Sequence, residues 1–281
     1  MGSAASSSRV GKGAVLPNDP KCESQPKFEF VGSLLDDACR SDLERVSQEH
    51  LGEDPSSAHF IEREKGIAFV LYLDGNVYVL EQDFFIQSDA YNDFSGGYKR
   101  KYHVMPQDAV QKPLLEPVLK FVDYYKLPNR AIILVQLQTS KIRANAFNGR
   151  RNSVTGQGIH TDGADRAMLA CIARKNVSGA HNHFYADLEG KNKLSSDQSV
   201  LEEGDAVFFK DNSLFHYVSP AHPEDPSKDM ERTILLMNYP GEIYLTGKTN
   251  TTNNLSRNIS SVKLREHATT SFPIAGAVSV N

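Results

Sequence analysis

The spacing of apolar residues changes character along the chain. In SLLDDACRSDLERVSQEHL, residues 33–51, apolar Leu34, Leu35, Ala38, Leu43 and Val46 recur at roughly helical spacing. Ser33 with Asp36 resembles an N-cap arrangement ahead of that helix. A second helical stretch is predicted over Ala109–Tyr125, with its start left open by Pro113 and Pro117, since proline has no N–H to donate. The remaining apolar runs are short and β-rich: GIAFVLYL, NVYVL, RAIILVQLQ, AMLACIAR, HNHFYADL, DAVFFK and TILLMNY. Turn signals separate many of them, among them Asp74-Gly75, Glu189-Gly190 and Glu203-Gly204-Asp205. Helices followed by many short strands predict an α+β protein with a mainly β core. Strands of this length suit a sandwich or a barrel open at one end.

The two ends break this pattern. Residues 1–27 are rich in Ser, Gly, Ala and Pro and read as a flexible tail. Residues 246–281 are Asn-, Thr- and Ser-rich and finish in apolar SFPIAGAVSV, which reads as a tail, a lid, or a contact in a homodimer. Residues 28–245 between them are expected to form one domain, with the β core over about 131–245.

Composition narrows the function classes. Thirty-one Lys and Arg against thirty-five Asp and Glu leave a net charge of −4, which argues against a nucleic-acid partner. No apolar run approaches a membrane span, and the N-terminal stretch lacks the apolar segment of a secretory signal, so a cytoplasmic protein without a membrane partner is expected. Three scattered cysteines without a CxxC pair make a disulfide scaffold or a cysteine zinc site poor readings. Cys171, in an apolar run, reads as buried filler.

The chemistry-bearing pattern is Gly158-Ile159-His160-Thr161-Asp162-Gly163. Placed on a strand, His160 and Asp162 share one face and offer two of the three ligands of a facial Fe(II) triad. His216, in Asp211-Asn212-Ser213-Leu214-Phe215-His216-Tyr217-Val218, supplies a third ligand from a distant strand. Arg232 opens the apolar run TILLMNY, and a guanidinium there seeks a carboxylate to hold in bidentate fashion. An HxD alone is weak; the ordered set of HxD, a histidine about 50 to 60 residues on, and then an arginine is much stronger.

From His160 to Tyr239 the chain resembles the Fe(II)/2-oxoglutarate-dependent oxygenases, in particular the group containing the bacterial isoleucine dioxygenases. The group's Pro-Glu-Gly-x-His-x-Asp-Gly pattern is similar to Gly156-Gln157-Gly158-Ile159-His160-Thr161-Asp162-Gly163. Its Arg-x-Asn-Val-x-Gly-Gly element resembles Arg174–Ala180, and its Asp-x-x-x-x-His-x-Val-x-Pro element resembles Asp211–Pro220. The resemblance implies a double-stranded β-helix (jelly roll) with N-terminal helices buttressing the barrel. It also implies Fe(II) on His160, Asp162 and His216, 2-oxoglutarate as cosubstrate with its distal carboxylate on Arg232, and O2. The implied reaction oxidises an unactivated C–H bond of a small-molecule substrate, commonly a free aliphatic amino acid, and releases succinate and CO2. Hydroxylation, cyclisation and desaturation are all open.

Gln157 departs from the group's glutamate and is a candidate substrate contact. Lys141 and Arg143 offer a carboxylate site on one strand face or are solvated rim charges. His183 is a candidate pocket wall, whereas His181 lacks the companions of a metal ligand. Two rivals remain: a cupin-type metalloenzyme not using 2-oxoglutarate, and a jelly roll that binds a small ligand without turnover.

Overall fold

In the computed structural model, which describes residues 27–54, 62–92, 96–147, 158–195 and 199–246, β1 (Phe28–Val31) turns into α1 (Asp37–His50). The helix starts at Asp36. Its carboxylate accepts from the Cys39 N–H at 2.8 Å and satisfies one of the free donors of the first turn. Ser33 sits upstream in a turn with φ 51. Cys39, Leu43 and Val46 form the buried face of α1.

The short β2 (Gly52–Glu53) precedes the long β3 (Glu62–Leu73), which folds back as β4 (Asn76–Leu80). Asp74 and Gly75 between them have φ of 50° and 79°, the paired positive values of a type I′ hairpin, which Asp-Gly adopts readily. Three two-residue pieces follow: β5 (Phe84–Phe85), β6 (Arg100–Lys101) and β7 (His103–Val104). The predicted second helix is two, α2 (Gln107–Gln111) and α3 (Leu115–Tyr125). Pro113 lies in the break, and Pro117 sits in the first turn of α3, where its missing N–H leaves no bond unmade.

Eight strands and a short helix complete the order: β8 (Ala131–Ile142), β9 (Arg166–Lys175), β10 (Val177–Gly179), β11 (Asn182–Tyr185), β12 (Ala206–Phe209), β13 (Phe215–Val218), β14 (Ala221–Pro223), β15 (Met230–Tyr239) and α4 (Ile243–Thr246). The large sheet runs β1-β12-β9-β15-β8-β3-β2 with antiparallel neighbours, and β3 also pairs antiparallel with β4 and in parallel with β7. One face carries Val135, Leu137, Leu235, Met237 and Phe208 and packs against Leu43, Val118 and Phe121 of the helices. The other face is covered by small sheets, β11 with β13 and β10 with β14. Phe184 of β11 stacks on Phe28 at 4.7 Å and lies 5.4 Å from Phe209, joining the layers. The buried rings of Phe184 and Phe209 are each worth about 1.5–3 kcal/mol. The result is a double-stranded β-helix buttressed on its outer face by helices. Among the described residues no helix is long and apolar enough to cross a membrane. The segments read as tails lie outside the described residues apart from Lys27 and Thr246.

Glu242, in the turn after β15, is a cost to this fold. Burial pushes its carboxyl up to about 7, and Oε2 has no hydrogen-bond partner. Between its ordinary value near 4.5 and about 7, the folded chain holds a proton that the unfolded chain has lost. Stability therefore falls as pH rises through that window and stays lower above it. Glu242→Gln, which cannot ionise, is expected to raise Tm by about 3–6 °C at pH 8 and by under about 1 °C at pH 4. Thermal melts of both proteins at the two pH values check this, and an equal gain at both would refute it.

Candidate metal centre and the barrel interior

His160 and His216 face each other across an isolated antiparallel bridge, with His160 N to His216 O at 3.0 Å and the reverse bond at 2.8 Å. A directly paired residue couple brings side chains together on one face, and the two imidazole centroids are 4.3 Å apart. The strand expected to run on through Asp162 does not: after His160 the backbone leaves the ladder as a loop. Asp211, fully buried at the head of the turn leading to β13, captures that loop. Its carboxylate accepts from Asp162 N at 3.2 Å and Ala164 N at 3.0 Å, and Thr161 Oγ1 lies 2.9 Å from Oδ2. Gly163 follows with φ +85, and the ring of Tyr91 packs where a Cβ would stand.

The loop returns the Asp162 carboxylate to the histidines. His160 Nε2 is 3.8 Å from Oδ1 and His216 Nε2 is 3.7 Å from Oδ2. One donor atom from each of the three residues lies within 4.8 Å of the others. His160 Nδ1 is 2.9 Å from the Gly158 carbonyl, which assigns its proton to Nδ1 and leaves Nε2 a lone pair facing the cluster. His216 Nε2 is buried 3.2 Å from Asp211 Oδ1 and makes no well-aligned hydrogen bond among the described residues. Burial and the neighbouring His216 lower the His160 pKa. For His216, burial is outweighed by Asp211 and Asp162, and the net shift is upward. For half-buried Asp162, desolvation pushes the carboxyl up, yet the two histidines hold it below its ordinary value. Two imidazole nitrogens and one carboxylate, one nitrogen buried and unbonded, fit the donor set of a facial Fe(II) site.

Asp162 is also held from a part of the chain with no motif. Gln87 Nε2 donates to Asp162 Oδ1 at 3.0 Å. The Gln87 Oε1 accepts from Asn92 Nδ2 at 2.7 Å and from Arg100 Nη2 at 3.1 Å, which orients the amide with its NH2 toward the carboxylate. Arg100 in turn lies 4.4 Å over the Phe85 ring.

Arg232 lies on the barrel face of β15, 3% exposed, directly opposite Arg174 of β9 and Ser140 of β8. A bulge between Thr233 and Ile234 shifts the register of β9, so that Arg174 rather than Ala173 shares the face of Arg232. Arg174 donates to the carbonyls of Val177 and Gly179. No carboxylate of the described residues pairs with Arg232, its Nε is buried and unbonded, and burial lowers its pKa. The guanidinium expected to seek a carboxylate finds none among the described residues.

The other expected contacts are not gathered at this site. Gln157 lies outside the described residues. Lys141 is bound to Glu64 at 2.7 Å and shares the helix-side face of β8 with Leu137 and Thr139, not the barrel face. Arg143 lies beyond the end of β8, 59% exposed, beside Glu62 and Asp229. Both are rim charges already matched by carboxylates. His183 points away from the metal cluster: it pairs with Tyr217 while its neighbour Phe184 pairs with His216, so the two histidines occupy opposite faces. Its ring lies 6.1 Å from those of His181 and Tyr217. Cys171 is buried, and burial pushes its thiol up to about 11.

A family model described as 2OG-Fe dioxygenase matches residues 45–238. No curated protein matches the chain. Among solved structures, a bsmA homolog from Methylobium petroleophilum PM1 is similar with a TM-score of 0.57 and 14% identity, covering 75% of this chain and 87% of that one. The structure of IDO from Bacillus thuringiensis is similar with a TM-score of 0.53 and 16% identity, covering 75% and 92%. At such identities these two likenesses show the fold.

The Gln87 network generates a prediction. Gln87→Ala leaves Asp162 without its side-chain donor, and Fe(II) affinity is expected to fall about 10- to 100-fold with Tm changed by a few degrees at most. Anaerobic Fe(II) titration of both proteins measures it. An unchanged affinity would show that Asp162 is oriented without Gln87.

Proposed function

The chain belongs to the 2OG-Fe dioxygenase family, and from that premise we propose that it oxidises an unactivated C–H bond of a small aliphatic amino acid or a close derivative. The family uses Fe(II), 2-oxoglutarate and O2. In this reading His160, Asp162 and His216 hold Fe(II), and Arg232 holds the distal carboxylate of 2-oxoglutarate. The observation that carries it is the pairing of a three-ligand cluster with a buried guanidinium, on the face lining the same barrel, that has no carboxylate partner among the described residues. With Fe(II) and 2-oxoglutarate bound, O2 would be the oxidant: two of its four electrons would come from 2-oxoglutarate as it is converted to succinate and CO2, and two from the substrate.

The chain's own residues act by placement. The Gly158 carbonyl and the Gln87 amide fix the ring of His160 and the carboxylate of Asp162, so the ligands are arranged before anything binds. Arg232, already desolvated, meets a carboxylate without first shedding water, which strengthens a bidentate contact. Phe184, Phe209 and Phe28 fill the barrel beside His216 and keep water from that side of the site. The amino-acid substrate is supported by the resemblance of the His160–Tyr239 segment to the isoleucine dioxygenase group. A cupin-type metalloenzyme would have no use for an unpaired arginine at this place.

Anaerobic addition of Fe(II) and 2-oxoglutarate is expected to produce a metal-to-2-oxoglutarate absorption band. Subsequent oxygen exposure with the common amino acids in turn should release succinate with at least one of them. The product gains sixteen mass units on hydroxylation or loses two on cyclisation or desaturation. Arg232→Lys should raise the KM for 2-oxoglutarate about 10-fold or more, the size of a lost charge-assisted contact. An unchanged KM would remove Arg232 from the cosubstrate site, and no band would end the oxygenase reading.

A further inference from the structure

The barrel face of β3 carries a second cation that the reading above leaves idle. Pairing and strand alternation put Arg63, Lys65, Ile67 and Phe69 on the inner face, because Lys65 lies opposite Gln138 and Arg63 opposite Ser140, the partner of Arg232. Arg63 is spent on the buried Asp54 at 2.7 Å. Lys65 has no hydrogen bond or ion pair among the described residues. Its Nζ lies 5.2 Å from the centre of the Tyr102 ring and 5.5 Å from that of Phe85, and these two rings stack at 5.0 Å. The fields of Asp54 and Asp162 reach it, but burial dominates and pushes the ammonium down to about 8. Lys65 is half-buried, and with no protein acceptor for its three N–H donors among the described residues, contact with two rings offsets only part of the cost of partly desolvating the ammonium.

We propose that Lys65, set against the Phe85–Tyr102 pair, anchors the carboxylate of the primary substrate. This rests on the oxygenase reading above. Of the two carboxylates of 2-oxoglutarate, one belongs at the metal and the other on Arg232, so that molecule has no anion left for Lys65. Arg232 and Lys65 stand on strands either side of β8, with backbones about 10 Å apart across the sheet, so the two cations line different sides of the barrel interior. The aromatic pair beside Nζ supplies an apolar wall for the carbon chain that follows the carboxylate. The substrate thus enters along the β3 side of the barrel, and the cosubstrate occupies the β15 side.

The test is calorimetric titration of the anaerobic Fe(II)–2-oxoglutarate complex with each common L-amino acid and with its primary amide, in the native protein and in Lys65→Met. An amino acid that binds the native protein should bind Lys65→Met about 10- to 100-fold more weakly. Its amide should bind the two proteins alike, and 2-oxoglutarate affinity should change less than about twofold. Lys65→Gln serves the same comparison if the methionine variant fails to fold. Equal amino-acid binding in native and variant protein would overturn the proposal. So would a loss of 2-oxoglutarate affinity instead, which would put Lys65 in the cosubstrate site. If the metal–2-oxoglutarate band forms and no amino acid binds, the carboxylate anchor falls while the oxygenase reading stands. If no band forms, both fall.

Discussion

The carboxylate of Asp211 is fully buried and accepts from the backbone of Asp162 and Ala164, with the Thr161 hydroxyl beside it and His216 3.2 Å away. The loop carrying one carboxylate of the cluster and the turn leading into its second histidine are thereby tied to a single point. Without that tie, a loop of three residues off the end of a bridge would hold Asp162 in many places, each costing conformational entropy to exclude. Asp211, together with Asp162, also raises the pKa of His216 against the effect of burial, so it bears on both the position and the charge of that histidine. A negative charge so deep is tolerated because backbone N–H groups satisfy it.

The rest of the barrel interior divides by strand. The β15 and β9 positions bring two guanidiniums opposite each other, an arrangement that is repulsive on its own. Arg174 is spent on the carbonyls of Val177 and Gly179, and Arg232 is left with its charge exposed to the interior. Across β8, the polar pair Gln136 and Asn238 bond at 3.0 Å, and further along lies the ammonium of Lys65. An interior this rich in unmatched positive charge is poor material for a core and good material for anions.

Much of this was legible from sequence, and the reasons for success and failure are physical. The short β-branched and aromatic runs identified the strands because alternate packing faces leave a local imprint. The cluster was legible because His160, Asp162 and His216 keep their order and approximate spacing. The geometry between them was not: an i, i+2 pair reads as strand, and nothing local announces that Asp211, forty-nine residues from Asp162, peels the chain away from the ladder. Gln87 was missed for the same reason, lying seventy-five residues from the carboxylate it orients. Lys65 had a signal that was passed over. Glu62-Arg63-Glu64-Lys65 looks like a solvated strand end, but Arg63 and Lys65 share the parity of buried Ile67 and Phe69. His183 shows the converse, since proximity to a motif says nothing about which side of a strand a side chain takes.

The extra residue in β9 opposite Thr233 and Ile234 acts as a frameshift in the two-residue code of the strand. On one side of it Ala167, Leu169 and Cys171 obey one parity and supply apolar lining; on the other, Arg174 obeys the opposite parity and supplies charge. The strand can therefore be written in two chemical languages without bending the barrel. The boundary between them is set by the ladder's miscount: in continuous register Ala173 and not Arg174 would lie opposite Arg232, and a methyl group would stand where the cation does.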